Sequence, residues 1–275
     1  MLRRFFPRRF FYALCLLLCL LPPADAAAPR RIVSLAPGVT EMLFALGLGR
    51  SVVGDTVYCD FPPAARAVAK IGDVNTNYER VLALHPDLIV ADAVANGRAI
   101  ARLRQLRQTV LVVSPTSLAA VEDSLRTIAA QTGRAARASV VVAGMEGKAR
   151  QAAALAAGDR RPRPRVLLVI QVAPLWTAGG GTFLDDLVVR AGGVNVGAAI
   201  KGYGPLSRER VLSRPPDVVV GDVLTVRAVR ADSLLGRLAA VRAGRLYALS
   251  GDLTQRPGPR LADGLLLLAR ALHGR

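Results

Sequence analysis

Residues 77–90 read NYERVLALHPDLIV, and 130 positions later residues 207–220 read SRERVLSRPPDVVV. In each copy a Glu-Arg-Val-Leu run opens a helix, a Pro-Asp pair stops it, and a short β-branched run follows. Glu79 and Pro86 stand seven positions apart, as do Glu209 and Pro216. Proline cannot continue the helix, because it lacks the N–H and its ring clashes with the preceding turn. The runs DLIV and DVVV read as strands buried on both faces, as in a parallel sheet. Each copy is one helix-to-strand unit, so the pair predicts two similar α/β lobes. Each lobe would carry a glutamate, Glu79 or Glu209, in the first turn of an exposed helix, a matched pair of contacts for a symmetric partner.

The alternation extends on both sides of each copy. Apolar runs predict strands over residues 31–36, 52–58, 87–91 and 109–114, with helices over 38–48, 78–84, 98–106 and 117–131, the signature of a parallel α/β sheet. Residues 135–157 lack proline, are rich in alanine and lie between Gly133 and Gly158. They predict one long helix in spite of Gly144 and Gly147. The stretch DRRPRPR at 159–165 breaks it. Beyond it come a strand over 166–172, a helix over 183–191, the second copy of the repeat, a strand over 245–249 and a last helix over 259–273. The expected organisation is a lobe over 29–132, a bridging helix over 133–158 and a lobe over 163–275. A single helical spine permits small rocking motions in place of wide closure. Ligand would sit between the lobes, at the carboxyl ends of the strands.

The first residues predict export. Arg3, Arg4, Arg8 and Arg9 precede an apolar run over 13–21 and the small residues of 24–28. This reads as a cleaved secretory signal peptide over 1–26, with a periplasmic product that no lipid anchors. Residues 1–26 hold four of the 37 basic side chains and one of the 20 acidic ones, so the remainder carries 33 against 19, a net charge of +14. The arginines are scattered, and the dense run at 160–165 is interleaved with Pro162 and Pro164 and no aromatic residue. A base-stacking groove is not supported, and no nucleic-acid partner is expected. Cys59 is the one cysteine outside the leader, which excludes an internal disulfide. It fits a small buried filler better than a ligand to a cobalt or iron centre.

The segments RIVSLAPGVTEMLFALG, VVGDTVYCDFPPAA, KIGD, NYERVLALHPDLIVA, AGGVNV, SRERVLSRPPDVVV and RPGPRLADGL, in that order, resemble the periplasmic binding proteins of ABC importers for cobalamin, haem and ferric siderophores. Tyr58-Cys59-Asp60-Phe61-Pro62-Pro63 and the late Arg-Pro-Gly-Pro-Arg are most similar to the cobalamin binders. The resemblance implies two Rossmann-like lobes with parallel sheets joined by one long backbone helix, the class III periplasmic binding protein fold. It implies a monomer that captures cobalamin or another corrinoid as transported ligand, with no cofactor of its own. It also implies that Glu79 and Glu209 pair with arginines on the two subunits of a permease homodimer. The chain departs from some cobalamin binders at Asp73-Val74-Asn75, at Ala91-Asp92-Ala93 and at Asp252-Leu253-Thr254, where they carry tryptophans. Haem or a ferric siderophore is the alternative cargo.

A corrin is a broad, largely apolar ring with amide side chains, so its cleft calls for aromatic and aliphatic walls with a few polar groups. The expected ligand-binding residues are Pro37, Tyr58, Phe61, Trp176, Tyr203 and Arg256. Pro37 opens the first helix at a Pro-Gly turn. Trp176 follows a buried-type strand in APLWTAGGG, where a loop faces the cleft or covers a core aromatic. Tyr203, between Gly202 and Gly204, suits an exposed ring. Phe61 suits a cleft wall or turn packing equally. Arg256 and Arg260 could meet an anionic chelate, although Arg260 fits a structural ion pair better. Tyr58 could bind haem iron in principle, but Val74 and Asn75 occupy the place of the haem binders' axial tyrosine.

Local chemistry offers blander roles for several of these. Thr76 and Glu79 form the spacing of a capping box, and Ser207 can cap the second helix alone. Capping explains each glutamate singly and leaves their matching places unexplained. His85 and His273 read as surface residues, too few for dedicated zinc or manganese capture. Catalysis is not expected. Gly179-Gly180-Gly181-Thr182 lacks the lysine of a phosphate-binding loop, Asp185 and Asp186 point in different directions on a helix, and no nucleophile elbow has a histidine partner.

Overall fold

The computed structural model describes residues 28–73, 75–250 and 256–274. The expected leader, Val74 and the departure at residues 252–254 lie outside them. Five parallel strands form the first sheet: β1 (Ile32–Ser34), β2 (Val52–Asp55), β3 (Ala69–Lys70), β4 (Leu88–Asp92) and β5 (Val110–Val113), in the order β3-β2-β1-β4-β5. The second sheet holds β6 (Arg165–Leu168), β8 (Val194–Asn195), β10 (Val218–Gly221) and β11 (Leu246–Ala248), in the order β11-β10-β6-β8. An antiparallel ribbon of β7 (Trp176–Ala178) and β9 (Tyr203–Pro205) lies beside it. In each sheet the winding reverses once, between β1 and β4 and between β6 and β10. These reversals open the crevices where doubly wound sheets bind ligands.

The Pro-Asp step of the repeat has a structural cause. The Asp87 N–H donates to the Arg31 carbonyl while its Oδ2 accepts from the Arg30 and Arg31 amides at 2.9 Å. In the second lobe the Asp217 N–H donates to the Arg165 carbonyl and its Oδ2 accepts from the Arg165 amide at 2.8 Å. Each aspartate thus fixes the register of the neighbouring parallel strand. The repeated helices are α2 (Tyr78–Ala83) and α7 (Arg208–Ser213). Ser207 caps α7 as expected, by accepting from the Arg210 amide. The cap of α2 is Asn77, which accepts from Arg80, so the Thr76–Glu79 capping box does not form and Glu79 sits one residue closer to the helix start.

The strands alternate between two apolar layers, as a period of two requires. Val33, Ile89 and Ala91 face one layer with Ile100 and Leu103 of α3 (Gly97–Gln105). Leu167 and Val219 face another, with Val226 and Val229 of α8 (Val223–Ala231). Ile32, Leu88, Val90, Val166, Leu168, Val218 and Val220 all face a third, which is common to both sheets. That shared layer is filled by α1 (Pro37–Ala45), α4 (Leu118–Thr132), α5 (Ala135–Gly158), α6 (Phe183–Arg190) and α10 (Leu261–His273). The long helix α5 presents Ala138, Val142, Met145 and Ala152 inward, one stripe at three- and four-residue spacing. Against it α10 sets Leu261, Leu265, Leu268 and Leu272.

Several expectations need correction. The strand expected over 52–58 ends at Asp55, because the chain turns with the Cys59 amide on the Thr56 carbonyl. The strand expected over 166–172 ends at Leu168, where the chain folds into the Gln171–Trp176 bridge. His273 is no surface residue: its ring is buried, with Nδ1 2.7 Å from Asp159 and Nε2 2.7 Å from the Ala191 carbonyl. It fastens the end of α10 to the end of α5. The helices α8 and α9 (Ala239–Arg242) and the β7–β9 ribbon have no counterpart among the expected elements. Leu265→Ala, in the seam between α10 and α5, is expected to cost about 2–5 kcal/mol. Urea unfolding with an unchanged slope and a lowered midpoint checks it.

Candidate ligand-binding cleft

The helix before a parallel strand runs back against it, so the start of α2 lies level with the carboxyl end of β4, and the start of α7 with that of β10. Glu79 and Glu209 are both exposed there, one on each lobe. Ser207 donates its hydroxyl to Glu209 Oε2 at 2.6 Å, which holds that carboxyl below its ordinary range. Two cavities open between these ends. One, of about 310 Å³, lies at the reversal of the second sheet and is lined by Leu168, Ile170, Val220, Asp222 and Tyr203 among others. The other, of about 260 Å³, spans both lobes, with Asp92, Val94 and Thr116 on one side and Thr182, Phe183 and Tyr203 on the other. Small-molecule pockets run from about 300 to 1,000 Å³. A large ligand therefore needs surface beyond them, and exposed apolar side chains stand on both lobes, Val57, Tyr58 and Val94 on one and Ile170, Trp176 and Leu224 on the other.

Tyr203 lines both cavities. Burial of the phenol, aided by the Asp92 carboxylate across the cleft, pushes its pKa up to about 12, so it is a neutral hydrogen-bond donor. The other five expected ligand residues line neither cavity. Pro37 is the first residue of α1 and half-buried. Trp176 opens β7 instead of sitting in a loop, with its amide and carbonyl engaged by Gln171 and Ile170. Phe61 has the Arg260 guanidinium 3.7 Å above its ring, so turn packing takes one face.

Arg260 in turn makes a two-pronged ion pair with the buried Glu41 of α1, at 2.6 and 2.9 Å. Arg256 pairs with Asp60, and the guanidinium holds the Asp60 carboxyl below its usual range. Between the two arginines, the Pro257 carbonyl lies 2.5 Å from where a Cβ on Gly38 would stand, so only glycine fits there. The Arg256–Arg260 segment is thus strapped across α1 and the Tyr58–Phe61 turn, with Pro257 reaching the interlobe cavity.

Beneath that turn Lys70 Nζ bonds Asp55 Oδ1 at 2.7 Å and the carbonyls of Cys59 and Ala65 at 3.0 Å. Cys59 is buried against the Thr40 and Thr56 hydroxyls, a filler, and burial pushes its thiol pKa up. Asp55 Oδ2 is buried and accepts no hydrogen bond from the described residues. Asp185 and Asp186 have separate structural partners: Asn195 for the first, the Leu118 amide and Arg190 for the second. Among the described residues no three His, Cys, Asp or Glu side chains converge on a metal site, and no helix is long and apolar enough to cross a membrane.

The model of the periplasmic binding protein family matches residues 32–253. The chain belongs to that family. This periplasmic binding protein is 30% identical over 268 residues to a vitamin B12-binding protein of Salmonella choleraesuis (strain SC-B67), a match covering 96% of this chain and 98% of the relative. Its fold is similar to the crystal structure of the periplasmic vitamin B12 binding protein of Vibrio cholerae, with 27% identity, a TM-score of 0.80 and coverage of 89% and 97%. It is equally similar to the periplasmic heme-binding protein of Roseiflexus sp. RS-1 in apo form, with 30% identity, a TM-score of 0.78 and coverage of 89% and 98%. The two lobes and bridging helix are the class III periplasmic binding protein fold, and the protein is a substrate-binding protein, not an enzyme. An extracytoplasmic location follows from membership.

Two cleft residues escaped the sequence reading. Asp92 and Asp222 are also 130 positions apart, and carrying the repeat two residues past Val90 and Val220 reaches them. The buried Asp55 generates a pH prediction. Burial, opposed by Lys70, raises its pKa from 3.8 to about 6. The fold therefore holds this proton more tightly than the unfolded chain, and the stability it adds is full below about pH 4 and lost as pH rises through about 6. The unfolding free energy of the natural protein, less that of Asp55→Asn, is expected to rise from pH 7 to pH 4. A flat difference would refute the assignment.

Proposed function

We propose that this periplasmic binding protein captures cobalamin or a related corrinoid between its lobes and delivers it to an ABC permease. The observation that carries the reading is the cleft wall. Tyr203 and Phe183 stand among Val94, Ile170 and Leu184, and no Lys, Arg or His among the described residues lines either cavity. Such a surface suits a broad apolar ring with uncharged polar groups at its edge. The vitamin B12-binding relatives support the same cargo. Pro37, Tyr58, Phe61, Trp176 and Arg256 contribute at the rim, around the turn strapped by Arg260. The exposed Glu79 and Glu209 meet arginines on the two halves of a permease homodimer, and the receptor acts as a monomer, exported by a leader over 1–26.

Haem is the second reading, favoured by the likeness to a heme-binding structure and by the exposed phenol of Tyr58, which could ligate iron. A ferric siderophore completes the set. Titration of the processed protein with cyanocobalamin, hemin and a ferric hydroxamate, followed by quenching of Trp176, separates the three. Sub-micromolar saturation is expected with cyanocobalamin alone, and saturation by hemin alone moves the protein to iron uptake. Glu79→Ala combined with Glu209→Ala is expected to leave that affinity within about twofold and abolish uptake in reconstituted vesicles, since rim charges act on docking alone. Normal uptake by the double variant would remove the docking role.

A further inference from the structure

Val94 and Leu224 are the most exposed large apolar side chains of their lobes among the described residues, at 71% and 73%. They are also 130 positions apart, the offset that relates Glu79 to Glu209. Val94 follows β4 by two residues and Leu224 follows β10 by three, so both stand past the carboxyl ends of those strands, the level at which α2 and α7 start. Matched aspartates shape the two turns: Asp92 Oδ1 accepts from the Val94 and Ala95 amides, and Asp222 Oδ1 from the Thr225 amide at 2.7 Å. In each lobe the apolar side chain neighbours the glutamate helix. Val94 and Tyr78, the residue before Glu79, line one cavity of about 570 Å³. In the second lobe Thr225, beside Leu224, and Arg208, beside Glu209, donate to the carbonyls of Ile170 and Val172, so both helix starts rest on one short segment.

One exposed apolar side chain needs no explanation. Two, each extreme in its own lobe and at the same place in a duplicated unit, are a repeated surface feature. We infer that Val94 and Leu224 form a second pair of contacts with the permease, each entering an apolar hollow on one subunit beside the cation that meets Glu79 or Glu209. The inference rests on the docking role proposed for those glutamates and on no choice of cargo. The occupant has to offer a positive group next to an apolar hollow twice, about a twofold axis, and two identical subunits side by side do so. The chemistry divides the work between the pairs. Exposed charges steer the approach and are screened by salt, while an apolar side chain buried at a contact sheds water and slows departure.

The test titrates the processed receptor against its ABC permease in reconstituted vesicles and reads the receptor concentration that half-saturates uptake. The cargo is whichever of cyanocobalamin, hemin and the ferric hydroxamate the receptor binds. It is held at saturation because Val94 also lines the interlobe cavity, so that cargo affinity does not enter the reading. Val94→Ser and Leu224→Ser are each expected to raise that concentration ~10-fold, the worth of burying one such side chain, and the double variant by the product of the two. These ratios are expected to hold as salt is raised, which a charge contact would not do. The control is Val140→Ser, which trims a side chain 64% exposed on α5 and is expected to stay within ~2-fold. Loss with Glu79→Ala and Glu209→Ala combined, but none with the serine variants, overturns the inference and keeps the docking role. No loss with either set overturns both. Loss at one lobe alone, or equal loss in the control, overturns the pairing. A receptor dimer in light scattering that the serine variants dissolve assigns the pair to self-contact and overturns the inference as well.

Discussion

Everything in this molecule depends on one apolar layer that the two sheets share. Most two-lobed receptors could be imagined as separate cores joined by a linker, each free to turn. Here the inner faces of β1, β4, β6 and β10 bury their side chains in the same layer as Val142 and Met145 of α5 and Leu265 and Leu268 of α10. Close-packed interiors transmit strain and do not stretch. The lobes can therefore slide and rock on that layer but cannot swing apart without opening it. The cleft above it inherits this stiffness, and the spacing of Glu79 and Glu209 is held by the same packing.

The repeat expresses that geometry twice. Pro-Asp ends a helix and clamps the neighbouring strand, the glutamate marks the helix start at the cleft mouth, and the aspartate after the strand reaches the cavity. Three features at three heights of one unit follow from the antiparallel run of helix against strand. Duplication then delivers each of them in matched pairs, and a partner with twofold symmetry can read such a pair directly.

The repeat and the hydrophobic alternation made the lobes legible, because buried parallel strands leave continuous β-branched runs and their helices end at proline or glycine. The long helix was legible from its lack of proline. Short elements were not: β8 holds two residues, and α8, in VLTVRAVRA, offers its cap only in Asp222. The α2 cap was misread because Thr76 and Asn77 are both competent acceptors, and only the backbone decides between them. At the candidate site, Tyr203 was expected from its flanking glycines, and it lines both cavities. Arg256 and Phe61 were expected to meet ligand, and the structure adds partners that the sequence does not show, Asp60 and Arg260, through contacts nearly 200 residues long. His273 was misread as a surface residue because nothing near it in sequence announces Asp159.

The strap from Arg256 to Arg260 closes on α1 over a separation of 219 residues, so the first lobe is finished by a segment that follows the second sheet in the chain. Contacts of such span form late, after the chain between them has been brought together. The packing of α1 beneath the strap is therefore settled only when the second lobe has come into place. The order of folding is thereby written into the topology: the two lobes reach their final packing together.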